Sequence, residues 1–223
     1  MNDWIVDTTD GVTLVGGAPF AGRSLAMALR RAPVLVAADG GADRALAAGH
    51  LPRAVVGDFD SISEGARARI PLERQFPIAE QETTDFDKAL RSIRAPFVLA
   101  LGFVGARVDH GLAVFNTLAR HPDRSCIVLG PEDLVFLCPR HLRLRLVPGD
   151  RFSLFPLGNV AGRSRGLRWP IDGLQLSPQG MIATSNEVDA PTVEVDIEDG
   201  PLLAILPRQR LDAVIRALVS RDR

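Results

Sequence analysis

AVVGDFDS, residues 54–61, runs four apolar or small positions straight into two carboxylates. The first half reads as a buried strand. Asp58 and Asp60 then stand in the loop that follows it. Carboxylates at such a place repel each other and lose hydration. Either a cation offsets that cost, or the pair belongs to a solvated turn in which Asp60 or Ser61 caps the segment from Ile62. The stretch alone leaves both readings open.

The same unit recurs on either side. VTLVGG (12–17), VLVAADGG (34–41), FVLALG (97–102) and SCIVLG (125–130) are short apolar runs ending in small or acidic residues. Between them lie helical patterns at 20–31, 42–49, 84–93, with Thr83 or Thr84 near its start, and 110–121. Apolar strands alternating with helices predict an α/β domain with a parallel sheet covered on both faces. After about residue 130 the pattern changes. RLRLV (143–147) and VEVDIE (193–198) alternate with period two, and Pro and Gly recur in short turns. PRQRLDAVIRALVS (207–220) puts Leu211, Val214, Ile215, Leu218 and Val219 on one helical face. The second half therefore reads as a mostly antiparallel β-sandwich, or a barrel, with a C-terminal helix. The expected domains are 1–135 and 136–223.

A chain of 223 residues, 46% hydrophobic and 24% charged, buries a sizeable core. Its formal net charge of -1 gives no basic field for nucleic acid. No run reaches the ~18 apolar residues of a membrane-spanning helix. The opening MNDWIVDTTDG lacks the basic and apolar regions of a signal peptide. Cys126 and Cys138 lie among apolar residues and read as buried thiols, so a cytoplasmic location is expected. The 26 basic residues include a single lysine, Lys88; every other one is arginine.

Ligands of open α/β sheets bind beyond the carboxyl ends of the strands. Gly16-Gly17, Asp39-Gly40-Gly41, Asp58, Asp60 and the loop 102–110 all fall at that edge. Glycines there let backbone N–H groups approach a phosphate. Asp58 and Asp60 can reach one hard cation, and magnesium, which completes its shell with water and phosphate, suits them. In QETTDFDKAL (81–90), Asp85 and Lys88 share one helix face. They form either a surface ion pair or a metal ligand beside a phosphate-binding cation. Arg107 either clamps phosphate oxygens or bridges Asp109. His110, at a helix start, reads as structural rather than as a general base. No GxxxxGK[ST] occurs, which disfavours a P-loop mechanism. In RGLRWP (165–170) the aromatic of Trp169 suits core packing first and a planar heterocycle second. ATSNEV (183–188) supplies short hydrogen-bonding groups.

Taken in order, ADGGA, GDFDS, TDFDKAL, GARVDH, GLRWP and TSN resemble the thiamine pyrophosphokinase family, from Gly16 to about Asn186. The resemblance implies an α/β catalytic domain, a β-sandwich domain and a homodimer with sites between subunits. It implies diphosphoryl transfer from MgATP to the hydroxyl of thiamine, leaving AMP. Asp58, Asp60 and Asp85 would then hold Mg²⁺. Lys88, Arg107 and Asp109 would line the ATP phosphates, beside the loops of Gly16, Gly17, Asp39, Gly40 and Gly41. Gln81 and Thr84 would face substrate, Trp169 would stack on the thiamine pyrimidine, and Ser185 and Asn186 would bound that pocket. The chain departs from the usual pattern at Glu82, Ala106 and Asp43, where Asp, Gly and Asn are common. Two other functions fit the catalytic half: a diphosphokinase acting on a pterin alcohol, and a non-catalytic nucleotide or thiamine sensor. GLRWP and TSN argue against the first, the intact carboxylates and Lys88 against the second.

Overall fold

A computed structural model describes residues 4–219. The first three residues of the N-terminal stretch and Ser220, the last position of the expected terminal helix, lie outside the described residues. Among the described residues the chain divides into two compact units. One takes in the chain up to Thr117 together with Val128–Gly130; the other takes in Leu118–Ile127 and everything from Pro131.

The first part of the chain forms β1 (Val6–Asp7), β2 (Val12–Val15), α1 (Gly22–Leu29), β3 (Val34–Ala38), α2 (Gly41–Ala47), β4 (Ala54–Gly57), α3 (Glu64–Arg69), β5 (Gln75–Pro77), α4 (Asp85–Arg91), β6 (Ile93–Arg94), β7 (Val98–Leu101), α5 (Val108–Arg120) and β8 (Cys126–Leu129). The sheet order is β8-β7-β2-β3-β4-β5. Strand β2 pairs in parallel with β3 and β7, and β4 with β3 and β5. Strands β2, β4 and β7 are buried at every position because helices cover both faces. Helix α4 packs on β3 and β4, α2 on β2 and β3, and α1 on β2 and β7. This sheet starts at β2 and builds outward to either side, so a topological switch point lies between β2 and β7, where such sheets hold ligands.

Three local features differ from the sequence reading. The helix expected over 84–93 stops at Arg91, because Ile93 and Arg94 leave it to pair in parallel with Val6 and Asp7. The cap after GDFDS is neither Asp60 nor Ser61: Ser63 caps α3, its side chain accepting from the Ala66 N–H. Strand β5 carries no alternation to betray it. It is an edge strand, where a proline such as Pro77 costs no ladder bond.

The second unit holds β9 (Asp133–Leu137), β10 (His141–Arg145), β11 (Arg151–Pro156), β12 (Ala161–Arg165), β13 (Ala183–Glu187), β14 (Thr192–Asp199), β15 (Leu202–Pro207) and α6 (Leu211–Val219). Its strands run antiparallel in the orders β10-β14-β12 and β13-β11-β15-β9. Alternation decides which face is inside. Leu142, Leu144, Val193, Val195 and Ile197 are buried, while His141, Arg143, Arg145, Arg163 and Arg165 point to water. Helix α6 buries Leu211, Val214 and Leu218 and packs on β10. Cys126 and Cys138 are buried thiols rather than disulfide partners. No helix among the described residues is long and apolar enough to cross a membrane.

Candidate active site

Strands β2, β3, β4 and β7 end at one cleft of about 1140 Å³. Its walls carry Gly16, Asp39, Asp58, Asp85, Lys88 and Arg107. Backbone packing already dictates two glycines of the loops around it. A Cβ at Gly16 would stand 2.6 Å from the Gly102 carbonyl oxygen, and one at Gly41 would stand 2.0 Å from that of Val15. Gly17, by contrast, faces open space, with nothing nearer than 3.9 Å. The Arg44 Nε–H donates to the Gly17 carbonyl at 2.5 Å and holds that loop.

Asp39 follows β3 with φ 41°, a left-handed conformation that aspartate tolerates better than most residues. Its buried carboxylate accepts from the N–H groups of Ser61 at 2.9 Å and Ile62 at 3.1 Å. Burial pushes its pKa up to about 6; the Ser61 and Ile62 N–H groups pull it down, and neighbouring Asp85 and Asp60 add to the rise. Asp58 follows β4. Its Oδ2 accepts from Lys88 Nζ at 2.9 Å and from Gln81 Nε2 at 3.3 Å. The Lys88 hydrogen bond holds its pKa below the ordinary carboxylate value. Asp60 is exposed, and its Oδ1 accepts from the Ser61 hydroxyl at 2.8 Å.

Helix α4 supplies the opposite wall. Thr84 is its N-cap and accepts from the Asp87 N–H at 3.3 Å. That places Asp85 in the first turn and Lys88 one turn on, where Nζ reaches Asp85 Oδ1 at 3.2 Å. Lys88 is 1% exposed, so it is no surface ion pair. Burial works against its charge, but Asp58 and Asp85 together outweigh burial and raise its pKa. Asp85 is raised too, since burial exceeds the help it draws from Lys88.

Asp39, Asp58 and Asp60 each offer an oxygen within 4.8 Å of the others. Oxygens around one octahedral magnesium, at ~2.1 Å from it, are at most about 4.2 Å apart. Small side-chain movements close that difference, and hard oxygen donors are the right chemistry, so the trio fits such an ion. Four carboxylates around one ammonium also leave the cleft with excess negative charge. Asp39 thus joins the two aspartates read from GDFDS, while Asp85 stands with Lys88 outside the trio.

The exposed Arg107 and Asp109 form a bidentate pair, Nε to Oδ1 at 3.1 Å and Nη2 to Oδ2 at 2.5 Å. Each stabilises the other's charge, raising Arg107 and lowering Asp109. His110 and Ala106 also line the cleft. Two residues of this region escaped the sequence reading. Glu80 accepts from the N–H groups of Glu82 at 2.9 Å and Thr83 at 3.1 Å, from the Thr83 hydroxyl, and from Arg91 at 2.9 Å. This folds the turn that delivers Gln81 to Asp58. Ser63 bonds Asp43 through both its N–H and its hydroxyl. No motif marks either residue: Glu80 stands four residues before the α4 cap, and Ser63 is itself the cap of α3.

In the second unit, Trp169 is 54% exposed, not in the core as its sequence setting first indicated. The loop holding it is fixed by its backbone rather than its ring. Asn186, buried on β13, accepts from the Trp169 N–H at 3.2 Å and donates to the Trp169 carbonyl at 2.6 Å. The Arg168 guanidinium lies 5.0 Å from the indole centroid. Ser185 is exposed with φ 60°, its N–H bound to the Ser153 hydroxyl at 2.9 Å.

Residues 25–129 match the family model described as thiamin pyrophosphokinase, catalytic domain. Residues 141–202 match that described as thiamin pyrophosphokinase, vitamin B1 binding domain. Thiamine pyrophosphokinase 1 of Oryza sativa subsp. japonica is 29% identical over 200 residues, spanning 74% of this chain and 75% of the relative. Thiamine pyrophosphokinase 2 of Arabidopsis thaliana is 28% identical, spanning 70% and 66%. Among solved structures, thiamine pyrophosphokinase from Bacillus subtilis superposes with a TM-score of 0.72 at 21% identity, covering 88% of this chain and 98% of that one. Yeast thiamin pyrophosphokinase gives 0.73 at 17% identity, covering 96% and 90%.

Proposed function

The chain belongs to the thiamin pyrophosphokinase family and forms thiamine diphosphate by diphosphoryl transfer; from that premise we propose that the donor is MgATP, that the leaving product is AMP, and that the cleft of β2, β3, β4 and β7 is where the donor sits. The observation that carries this reading is the convergence of Asp39, Asp58 and Asp60 beside a buried lysine. In this reading the trio holds magnesium, which supplies charge neutralisation for the phosphate oxygens.

The thiamine hydroxyl oxygen attacks the β-phosphorus of ATP. The bond from that phosphorus to the oxygen bridging it to the α-phosphorus breaks, and AMP departs with that oxygen. Such transfers are governed mainly by positioning and electrostatics. Lys88 carries a fixed positive charge at the cleft floor and keeps Asp58 in place. Asp85 stands outside the trio with its pKa raised, and so is suited to take the hydroxyl proton. Arg107 swings from Asp109 to clamp phosphate oxygens, and the open backbone at Gly17 accommodates the phosphate chain. Gln81 orients Asp58. Trp169 stacks on the thiamine pyrimidine, with Ser185 at the pocket edge and Asn186 fixing the loop that carries the ring.

We further propose that the working form is a cytoplasmic homodimer. The buried thiols of Cys126 and Cys138 support a reducing compartment. Trp169, Met181 and Ile182, large and exposed, support a surface that a second copy covers. The test of the reading is a matrix of purified protein, ATP, thiamine and magnesium, each omitted in turn, with nucleotides and thiamine species separated. AMP release that needs all four upholds it. AMP release that is unaffected by chelating magnesium, or that responds to a pterin alcohol and not to thiamine, contradicts it.

A further inference from the structure

Three consecutive backbone N–H groups after GDFD, those of Ser61, Ile62 and Ser63, all donate to carboxylates of the stretch that runs from the end of β3 into the first turn of α2. Ser61 and Ile62 bond Asp39, and Ser63 bonds Asp43 Oδ2 at 3.0 Å. The Ser63 hydroxyl adds a short bond to Asp43 Oδ1 and itself accepts from the Ala66 N–H at 3.1 Å, capping α3. One serine therefore ties the start of α3 to the first turn of α2. We propose that Asp43 is a positioning residue for the metal-binding trio, fixing the exit of the loop that carries Asp58 and Asp60.

The proposal rests on the reading that Asp39, Asp58 and Asp60 hold magnesium. Asp39 has two duties in that reading, as ligand and as clamp on Ser61 and Ile62. Charge drawn from its oxygens by a cation weakens the clamp at the moment it matters. Asp43 lies outside the trio, so its hold on Ser63 is independent of the cation. Asp60 feels the hold most directly. It is exposed, and its Oδ1 is steadied by the hydroxyl of Ser61, two residues before Ser63. Partners that orient metal ligands typically contribute ~10–100-fold to metal affinity. Asparagine can accept from the Ser63 N–H through its carbonyl oxygen and donate its amide N–H to the Ser63 hydroxyl oxygen, keeping both contacts without the charge.

Manganese binding is measured by electron paramagnetic resonance on the intact protein with a non-hydrolysable ATP analogue, for wild type, Asp43→Ala, Asp43→Asn and Ser63→Ala. Expected is a ~10–100-fold weaker manganese isotherm for Asp43→Ala, most of it recovered in Asp43→Asn, with thiamine KM unchanged in both. Ser63→Ala, which keeps its N–H, should weaken binding less than Asp43→Ala. It also serves as the reporter if Asp43→Ala does not fold, and wild-type affinity in it would then overturn the proposal. Wild-type affinity in Asp43→Ala overturns it outright, as does an Asp43→Asn isotherm no better than that of Asp43→Ala. If wild type itself binds no manganese, the metal reading falls and takes this inference with it. If wild type binds manganese and forms AMP while Asp43→Ala matches it, only the inference falls.

Discussion

Lys88 Nζ lies 2.9 Å from Asp58 Oδ2 with 1% of the lysine side chain exposed. A helix one turn into its course thus places the chain's only lysine against the carboxylate that ends the neighbouring strand. The pair ties α4 to the end of β4 at the floor of the cleft, so it belongs both to the fold and to the chemistry.

Replacing Lys88 with methionine removes the cation and leaves Asp58 and Asp85 facing each other in a partly buried site. Breaking one side of a buried pair costs about 3–5 kcal/mol. Equilibrium denaturation of Lys88→Met should show a loss of that order, together with loss of thiamine diphosphate formation. Stability equal to wild type would mean that the ion triad contributes nothing to the fold.

Asp58 and Asp60 separate stability from chemistry. Asp60 is exposed, and surface substitutions usually stay within about 0.5 kcal/mol. Asp60→Ala should therefore unfold like wild type yet lose magnesium-dependent activity. Asp58→Ala, which deprives Lys88 of its nearer partner, should lose both. Full turnover in Asp60→Ala would remove Asp60 from the trio.

Trp169 projects its ring to solvent while its backbone is held by Asn186. An aromatic stack contributes about 0.5–1.5 kcal/mol, so Trp169→Ala should raise the thiamine KM roughly two- to tenfold. The ATP KM and the thermal midpoint should hardly move. Asn186→Ala should raise the same KM and also lower the midpoint, because it strands the Trp169 N–H and carbonyl. An unchanged thiamine KM in Trp169→Ala would rule out stacking.

Glu80 gives a prediction in pH. Its pKa is lowered from 4.5 to about 2, first by the Thr83 hydroxyl and then by the Glu82 N–H, Arg91 and the Thr83 N–H, against an opposing contribution from burial. A carboxylate bound more tightly as the anion stabilises the folded state fully above its unfolded pKa. That contribution fades as pH falls from about 4.5 through about 2. Nuclear magnetic resonance should find Glu80 titrating near 2, and Thr83→Val should move it up toward 4.5. A Glu80 titration at the ordinary value in wild type would show that the turn at 80–83 is not held as described.

Much of this was legible in the chain. Uninterrupted apolar runs such as VLAL and AVVG, too short for a buried helix and bounded by glycine, read as strands covered on both faces. GDFDS and TDFDKAL carry Asp58, Asp60, Asp85 and Lys88 within short, local patterns. What escaped depends on contacts between distant segments. From the sequence Asp39 belongs with the glycine loops beside the ATP phosphates, since nothing in ADGGA says that its carboxylate will meet Asp58 and Asp60. Asp43 and Glu80 look like ordinary surface acids until Ser63 and Thr83 are brought to them. Trp169 sits between arginine and proline, and that setting does not reveal whether the ring turns inward. Strand β5 has no alternating pattern and exists only because β4 offers it an edge.

The central claim is that the β-phosphorus of ATP is attacked, with the charged cleft holding the donor. ATP labelled at the α-phosphorus, turned over with thiamine and magnesium, tests it most directly. The expected result places the α label in AMP, in equal amount with thiamine diphosphate. Label appearing in ADP, with thiamine monophosphate as the other product, would mean that the γ-phosphorus is attacked and would contradict the mechanism.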